Sequence, residues 1–349
     1  MPARRARRIA EHAAPRVEVS VVHRPQDPRG YARLWRRLLL SGRPDAVCIY
    51  DVNPREVLPG ALARMRGVPV ILEIGDFAGD MLEHWNASAP RLLYRKGVEH
   101  AAWRRASALT VRGPAFIPIL HERGVRRPIQ VVPEGVDRDA FRPLDPGPGR
   151  ALLGIREGER AVGVVGSIVW SPATAIAYGW ELVEALPRLP AEWRAVLAGE
   201  GSGLEPLRAR AESLGAGDRL ITPGRLPHER IPDVLAALDA VTWTQEPAYA
   251  LGRTTLKLPE YLACGKYVLA SDAPMAVELI RDNGRVLPYA GGRDLGYARA
   301  MADAISELPP REELDRRGAA GVERAAPFGW DEVAARFCEV VESVGHELG

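Results

Sequence analysis

Cysteine, lysine and long apolar runs are all scarce in this 349-residue chain, and each scarcity removes a class of protein. Cysteine occurs only at Cys48, Cys264 and Cys338, too few and too far apart for a disulfide framework or a zinc cluster, which points to a reducing compartment. No run approaches the roughly 18 consecutive apolar residues that a membrane-spanning helix needs. The opening MPARRARRIAEHAAP holds no apolar stretch long enough for a signal-peptide core. A cytosolic protein that neither spans a membrane nor is exported is therefore expected. The histidines, His23, His84, His100, His121 and His228 among them, show no spacing that suggests a metal. Lysine is confined to Lys96, Lys257 and Lys266, and arginine carries the rest of the positive charge.

What is present describes a folded protein: 46% hydrophobic and 26% charged residues are ordinary for a globular chain. The length fits two domains of roughly 150 to 180 residues each, with a cleft between them as the expected place for a ligand. The net charge of +2 hides an asymmetry. Residues 1–150 carry 26 Lys and Arg against 16 Asp and Glu, whereas residues 151–349 carry 21 against 29. Arg4, Arg5, Arg7, Arg8, Arg33, Arg36 and Arg37 concentrate on two expected helices. Such a surface could rest on anionic lipid at the inner face of the membrane or receive a charged acceptor. Nucleic acid is disfavoured, because no basic helix carries interleaved aromatic residues.

Short apolar runs alternate with helical stretches throughout, the pattern of doubly wound parallel α/β sheets. Strands are expected at 17–23, 46–51, 69–76, 107–111 and 129–133, and again at 161–168, 195–203, 219–226, 240–245, 267–272 and 284–289. A Pro/Gly-rich stretch at 143–149 reads as a linker. The resulting division is an N-terminal domain over 1–145, a second domain over 146–325, and a final helix within 326–349 that could return to the first domain.

The segment KLPEYLACGK (257–266) concentrates chemistry. Lys257 and Glu260, three apart, share one face at the start of a short helix that Gly265 stops and a buried strand follows. A cation and a carboxylate beside a helix N-terminus suit an anionic, hydroxyl-rich ligand such as a sugar nucleotide. Two of the three lysines fall here, where a compact ammonium serves better than a planar guanidinium.

The chain resembles the GT-B glycosyltransferases of the large retaining family 4, the group 1 type, over roughly residues 100–345. The matching segments are VVPEGVDRDAFRPL (131–144), AVGVVGSI (161–168), LAGEGSG (197–203), ITPGRLPHERIPDVLAALDAV (221–241), the 257–265 motif and GWDEVAARF (329–337). The resemblance implies two Rossmann-like domains facing across a cleft, the N-terminal one for a hydroxyl acceptor and the C-terminal one for a nucleoside-diphosphate sugar. It implies transfer with retention and needs neither a metal nor a cofactor. Arg253 and Lys257 would neutralise the leaving diphosphate, and Glu260 matches the family's ribose-binding glutamate, a carboxylate that accepts from two adjacent hydroxyls. Leu256, just before Lys257, would join Glu260 in binding the nucleotide sugar. Gly166, Ser167, Gly199 and Gly201 would line the phosphate side, and Arg225 and Leu226 the base. Asp76, at a strand end in the first half, would steady the reacting sugar or hold an acceptor hydroxyl, in preference to Glu73. Arg112 and Glu134, at the ends of neighbouring strands, are further candidates for the same site.

Two positions depart from the family pattern. Gly252 stands where the family's first motif glutamate would be, with Glu246 out of register, and the loop at 166–172 lacks the usual arginine and lysine. Family members also begin with a strand and a glycine-rich loop, whereas this chain opens in what reads as the following helix (6–13). These departures keep two other readings open: a GT-B sugar-nucleotide epimerase or hydrolase, and a degenerate transferase that scaffolds other proteins.

Overall fold

The computed structural model describes residues 2–22, 27–40, 43–50, 54–84, 87–247 and 255–346. Contacts divide them into two units. One takes in the chain up to Gly135 and again from Trp330 onward; the other comprises the described residues from Val136 to Gly329.

In the first unit, α1 (Pro2–Ala13) and α2 (Pro28–Leu40) precede β1 (Val47–Tyr50), α3 (Pro54–Met65), β2 (Val70–Ile74), α4 (Ala78–His84), α5 (Ala89–Arg105), β3 (Ala108–Val111), α6 (Phe116–Glu122) and β4 (Ile129–Val131). The strands form one parallel sheet in the order β1-β2-β3-β4. Helical connections make every neighbour parallel, and apolar residues cover both faces, as such sheets require. Phe77, Trp103, Phe116 and Leu120 fill one core with Leu72, Ile74 and Leu109. A second core joins Ile9 of α1 to Ile71, Ala108 and Val132.

Residues 17–22, expected as part of a strand, do not join this sheet. Val17, Val19 and Val21 are half-buried, with Val17 and Val19 against the second core and its neighbours, while Glu18, Ser20 and Val22 are exposed. Their alternation serves side-chain packing without ladder hydrogen bonds. The remainder of that expected strand lies outside the described residues.

The second unit contains α7 (Gly147–Leu153), β5 (Arg160–Val165), α8 (Trp180–Ala185), β6 (Trp193–Ala198), α9 (Leu204–Ser213), β7 (Leu220–Ile221), α10 (Ile231–Ala237), β8 (Ala240–Trp243), α11 (Lys257–Ala263), β9 (Tyr267–Ser271), α12 (Pro274–Leu279), β10 (Gly284–Leu287), α13 (Leu295–Ser306) and α14 (Arg311–Arg324). Its parallel strands are ordered β10-β9-β8-β5-β6-β7. From β5 the chain builds outward through β6 and β7, then returns to place β8 on the other side of β5. β5 and β8 are thus the topological switch point, outside whose carboxyl ends such sheets bind ligands.

The Pro/Gly stretch at 143–149 is not a free linker. Pro148 lies in the first turn of α7, where a missing N–H costs no hydrogen bond. Phe141 and Leu153 on either side are buried in the core of the second unit, and the division between units falls earlier, at Gly135. The final helix, α15 (Trp330–His346), belongs to the first unit, where Trp330, Val333, Phe337 and Val340 share a core with Ile9. His12 Nδ1 lies 2.6 Å from Asp331 Oδ1, and Arg16 pairs with Glu342 at 2.7 Å, joining α1 and the turn after it to α15.

Candidate functional site

At the carboxyl end of β5 the chain turns through Gly166 into a loop that pairs with the loop after β6. Gly166 N donates to Ala198 O, and Ile168 N donates to Glu200 O, both at 2.9 Å. Trp170 N donates to Ser202 Oγ at 3.1 Å. The loops run so close that a Cβ at Gly199 would sit 1.8 Å from Gly166 O. The glycine at position 199 therefore has a packing cause: no other residue permits this approach.

α11 follows β8 and delivers its first residue to the same place. Lys257 Nζ lies 3.5 Å from the centroid of the Tyr178 ring, and a Cβ on Gly166 would stand 2.3 Å from Lys257 Cε. Tyr261, on the next turn, accepts from Val165 N through Oη at 3.0 Å, fixing the helix to the last residue of β5. Tyr178 in turn reaches Thr242 O of β8 at 3.5 Å. Glu260, half-buried, lies on the same helix three residues from Lys257.

Below this surface lies a buried polar network. Glu181, 3% exposed on α8, accepts from Thr244 Oγ1 at 2.8 Å, and that hydroxyl is 3.0 Å from Tyr297 Oη. Burial raises the Glu181 carboxyl above the ordinary carboxylate range, against the Thr244 hydrogen bond and the Lys257 charge. Further out, Glu246 accepts from Tyr289 Oη at 3.0 Å and from Gly292 N at 3.1 Å, holding the loop after β10. Arg293 of that loop donates to Ala175 O at 3.0 Å, tying it to the loop after β5.

The structure thus assembles Gly166, Ser167, Gly199, Gly201 and Lys257 around the ends of β5 and β6, with Glu260 and the half-buried Leu256 on or beside α11. Arg225, largely exposed, pairs with Glu200 at 3.1 Å, which joins the loop after β7 to the one after β6. Leu226 packs against the second unit's core. Arg253 and Gly252 lie outside the described residues.

The motif's two lysines do different things. Lys266 is buried and donates to Leu238 O at 2.7 Å; burial, helped by Arg311, lowers its ammonium to about 8. It closes a helix end and is no part of the site. Tyr178, Glu181 and Thr244 adjoin Lys257 or one another here without standing out in the sequence. Tyr178 reads as a packing residue in the apolar run around α8, and its contact with a cation nearly eighty positions later leaves no local trace. The acid at 181 inside that run was the available signal.

In the first unit Asp76 is half-buried just past β2. The adjoining strand ends form an ion cluster centred on Arg5 of α1. Arg5 Nε meets Glu73 Oε1 at 2.7 Å, and its terminal nitrogens donate to Pro133 O at 2.6 Å and Val132 O at 2.8 Å. Arg112 pairs with Glu134 at 2.8 Å and approaches Glu73 at 3.5 Å. Burial raises the Glu73 carboxyl, opposed by Arg5 and Arg112. Glu73, Arg112 and Glu134 therefore engage one another beneath α1.

Residues 177–320 match the family described as glycosyl transferases group 1, and residues 2–135 match the glycosyl transferase 4-like domain. The chain is 31% identical over 316 residues to the 2-deoxystreptamine N-acetyl-D-glucosaminyltransferase of Streptomyces fradiae, covering 81% of this chain and 70% of that one. It is 36% identical over 217 residues to the D-inositol 3-phosphate glycosyltransferase of Mycobacteroides abscessus, covering 59% of this chain and 44% of the relative. The chain thus spans under half the length of that relative. Among solved structures, Anabaena HepE in complex with UDP superposes with a TM-score of 0.71 at 20% identity, over 90% of this chain and 82% of that one. WaaG, a glycosyltransferase involved in lipopolysaccharide biosynthesis, gives 0.67 at 16%, over 97% and 95%. The architecture is the GT-B fold. The chain belongs to the group 1 glycosyltransferase family.

Proposed function

We propose that this protein transfers a sugar from a nucleoside-diphosphate sugar to a hydroxyl of a small molecule, glycolipid or polysaccharide, with retention and without a metal. The observation that carries this reading is the Lys257 ammonium at the switch point of the second sheet, beside Gly166 and three residues before Glu260 on the same helix. As the glycosidic bond breaks, negative charge grows on the diphosphate and positive charge on the sugar ring. A cation already in place stabilises the first without reorganising. Lys257 would meet the diphosphate, with Arg253 as a second cation; Glu260 would accept from the ribose hydroxyls, and Asp76 would face the sugar or acceptor.

The acceptor we favour is a cyclitol. Inositol phosphate and 2-deoxystreptamine, the acceptors in the relatives' names, are both hydroxylated six-membered carbocycles. The excess of positive charge in residues 1–150 suits an anionic acceptor or an anionic lipid surface, reached peripherally, since no described helix is long and apolar enough to cross a membrane.

The test is incubation with UDP-, GDP-, ADP- and dTDP-sugars, each with and without inositol 3-phosphate or 2-deoxystreptamine, in EDTA, read by mass spectrometry. A glycosylated cyclitol is the expected product. Free or epimerised sugar formed without acceptor would replace this reading with a hydrolase or epimerase. No turnover and no nucleotide binding would replace it with a scaffold.

A further inference from the structure

We infer that Tyr178 is a positioning residue whose ring face holds the Lys257 ammonium at the end of β5, where it meets the diphosphate of a bound nucleotide. This rests on the reading above and adds a residue to it.

A lysine side chain has a flexible four-carbon stem and loses considerable rotamer freedom when fixed. Something must hold it if its charge is to be in place before the ligand arrives. The ring at 3.5 Å does so. A ring face attracts a cation through its quadrupole.

The platform is itself fixed. Tyr178 Oη reaches Thr242 O of β8, and Tyr261, on the helix that carries Lys257, bonds the last residue of β5, so ring and lysine are each anchored to a strand of the switch point. Gly179, at φ +92°, turns the chain directly from the tyrosine into α8. Gly166 supplies the space in which the stem lies, since any Cβ there would overlap Lys257 Cε. Stem, ring and glycine thus place one charge at one point, in a loop region that carries no arginine or lysine between Gly166 and Gly179.

Calorimetric titration of the full chain with UDP, GDP, ADP and dTDP separates this inference from the reading beneath it. Lys257→Ala should weaken the best-binding nucleotide by about tenfold to a hundredfold. Tyr178→Leu should weaken it by roughly threefold to thirtyfold, and Tyr178→Phe, which keeps the ring, by less than about twofold. The double variant Tyr178→Leu/Lys257→Ala should bind no more weakly than Lys257→Ala alone. A structural lesion would add its loss to the double variant, so that result overturns the inference. It is also overturned if Tyr178→Leu binds as the wild type does while Lys257→Ala is impaired. If no nucleotide binds the wild type, or Lys257→Ala changes nothing, the proposed function fails and this inference with it.

Discussion

Gly166→Ala tests the geometry of the site with the smallest available change. Gly166 has φ +140°, a region that residues with a Cβ avoid at a cost of about 1–3 kcal/mol. The new methyl would stand 2.3 Å from Lys257 Cε and 2.5 Å from its Nζ, far inside van der Waals contact. The lysine stem is the softer partner and would swing off the Tyr178 ring, taking its charge from the end of β5. Nucleotide binding should then fall by the worth of a charge-assisted contact, about 1.5–3 kcal/mol, or roughly tenfold to a hundredfold. Gly158→Ala is the control, because Gly158 is also left-handed at φ +79° but a Cβ there meets nothing within 4 Å. Both variants should lose stability in urea, by about 1–2 kcal/mol for Gly158→Ala, and only Gly166→Ala should lose affinity by calorimetry. Wild-type affinity in a folded Gly166→Ala protein would refute the placement of Lys257.

Other expectations concern the parts around the site. Arg5→Met leaves Glu73 buried without its closest cation and should destabilise by about 3–5 kcal/mol in urea unfolding; a loss below about 1 kcal/mol would mean that the cluster rearranges freely. The Lys266 ammonium, lowered from 10.5 to about 8, has a folded value below its unfolded one. Its protonation therefore opposes folding below pH 8, and this penalty disappears as pH rises from about 8 to 10.5. The stability of the wild type relative to Lys266→Met should climb by roughly 3 kcal/mol over that window, and a flat difference would contradict the shift. If the basic first half meets anionic lipid, the protein should sediment with phosphatidylglycerol vesicles at low salt and be released above about 0.5 M salt, where screening is nearly complete; equal partition onto neutral vesicles would exclude an electrostatic contact.

Much of this architecture is legible before folding, because buried parallel strands read as short apolar runs and the helices between them keep their period. β2, β5, β6, β8 and β9 are of this kind. Residues 17–22 misled because valine alternation is the same whether the segment pairs with a sheet or packs on helices. Residues 143–149 misled because proline and glycine also begin a short helix, as Pro148 does. Within the site, Lys257 and Glu260 stand out through local spacing, and the glycines at 166, 199 and 201 through their turns. The partnership of Tyr178 with Lys257, and of Glu181 with Thr244, is tertiary: each residue alone is an ordinary tyrosine, acid or threonine. Likewise the pairing of Glu73 with Arg5, sixty-eight positions away, leaves no local trace.

A crystal structure with the best-binding nucleoside diphosphate would be the most direct measurement of all. The account expects diphosphate oxygens within about 3 Å of Lys257 Nζ and of the backbone N–H groups beyond β5, with the ribose hydroxyls on the Glu260 carboxylate. A nucleotide seated elsewhere, with Lys257 still resting on Tyr178 and touching no phosphate, would contradict it.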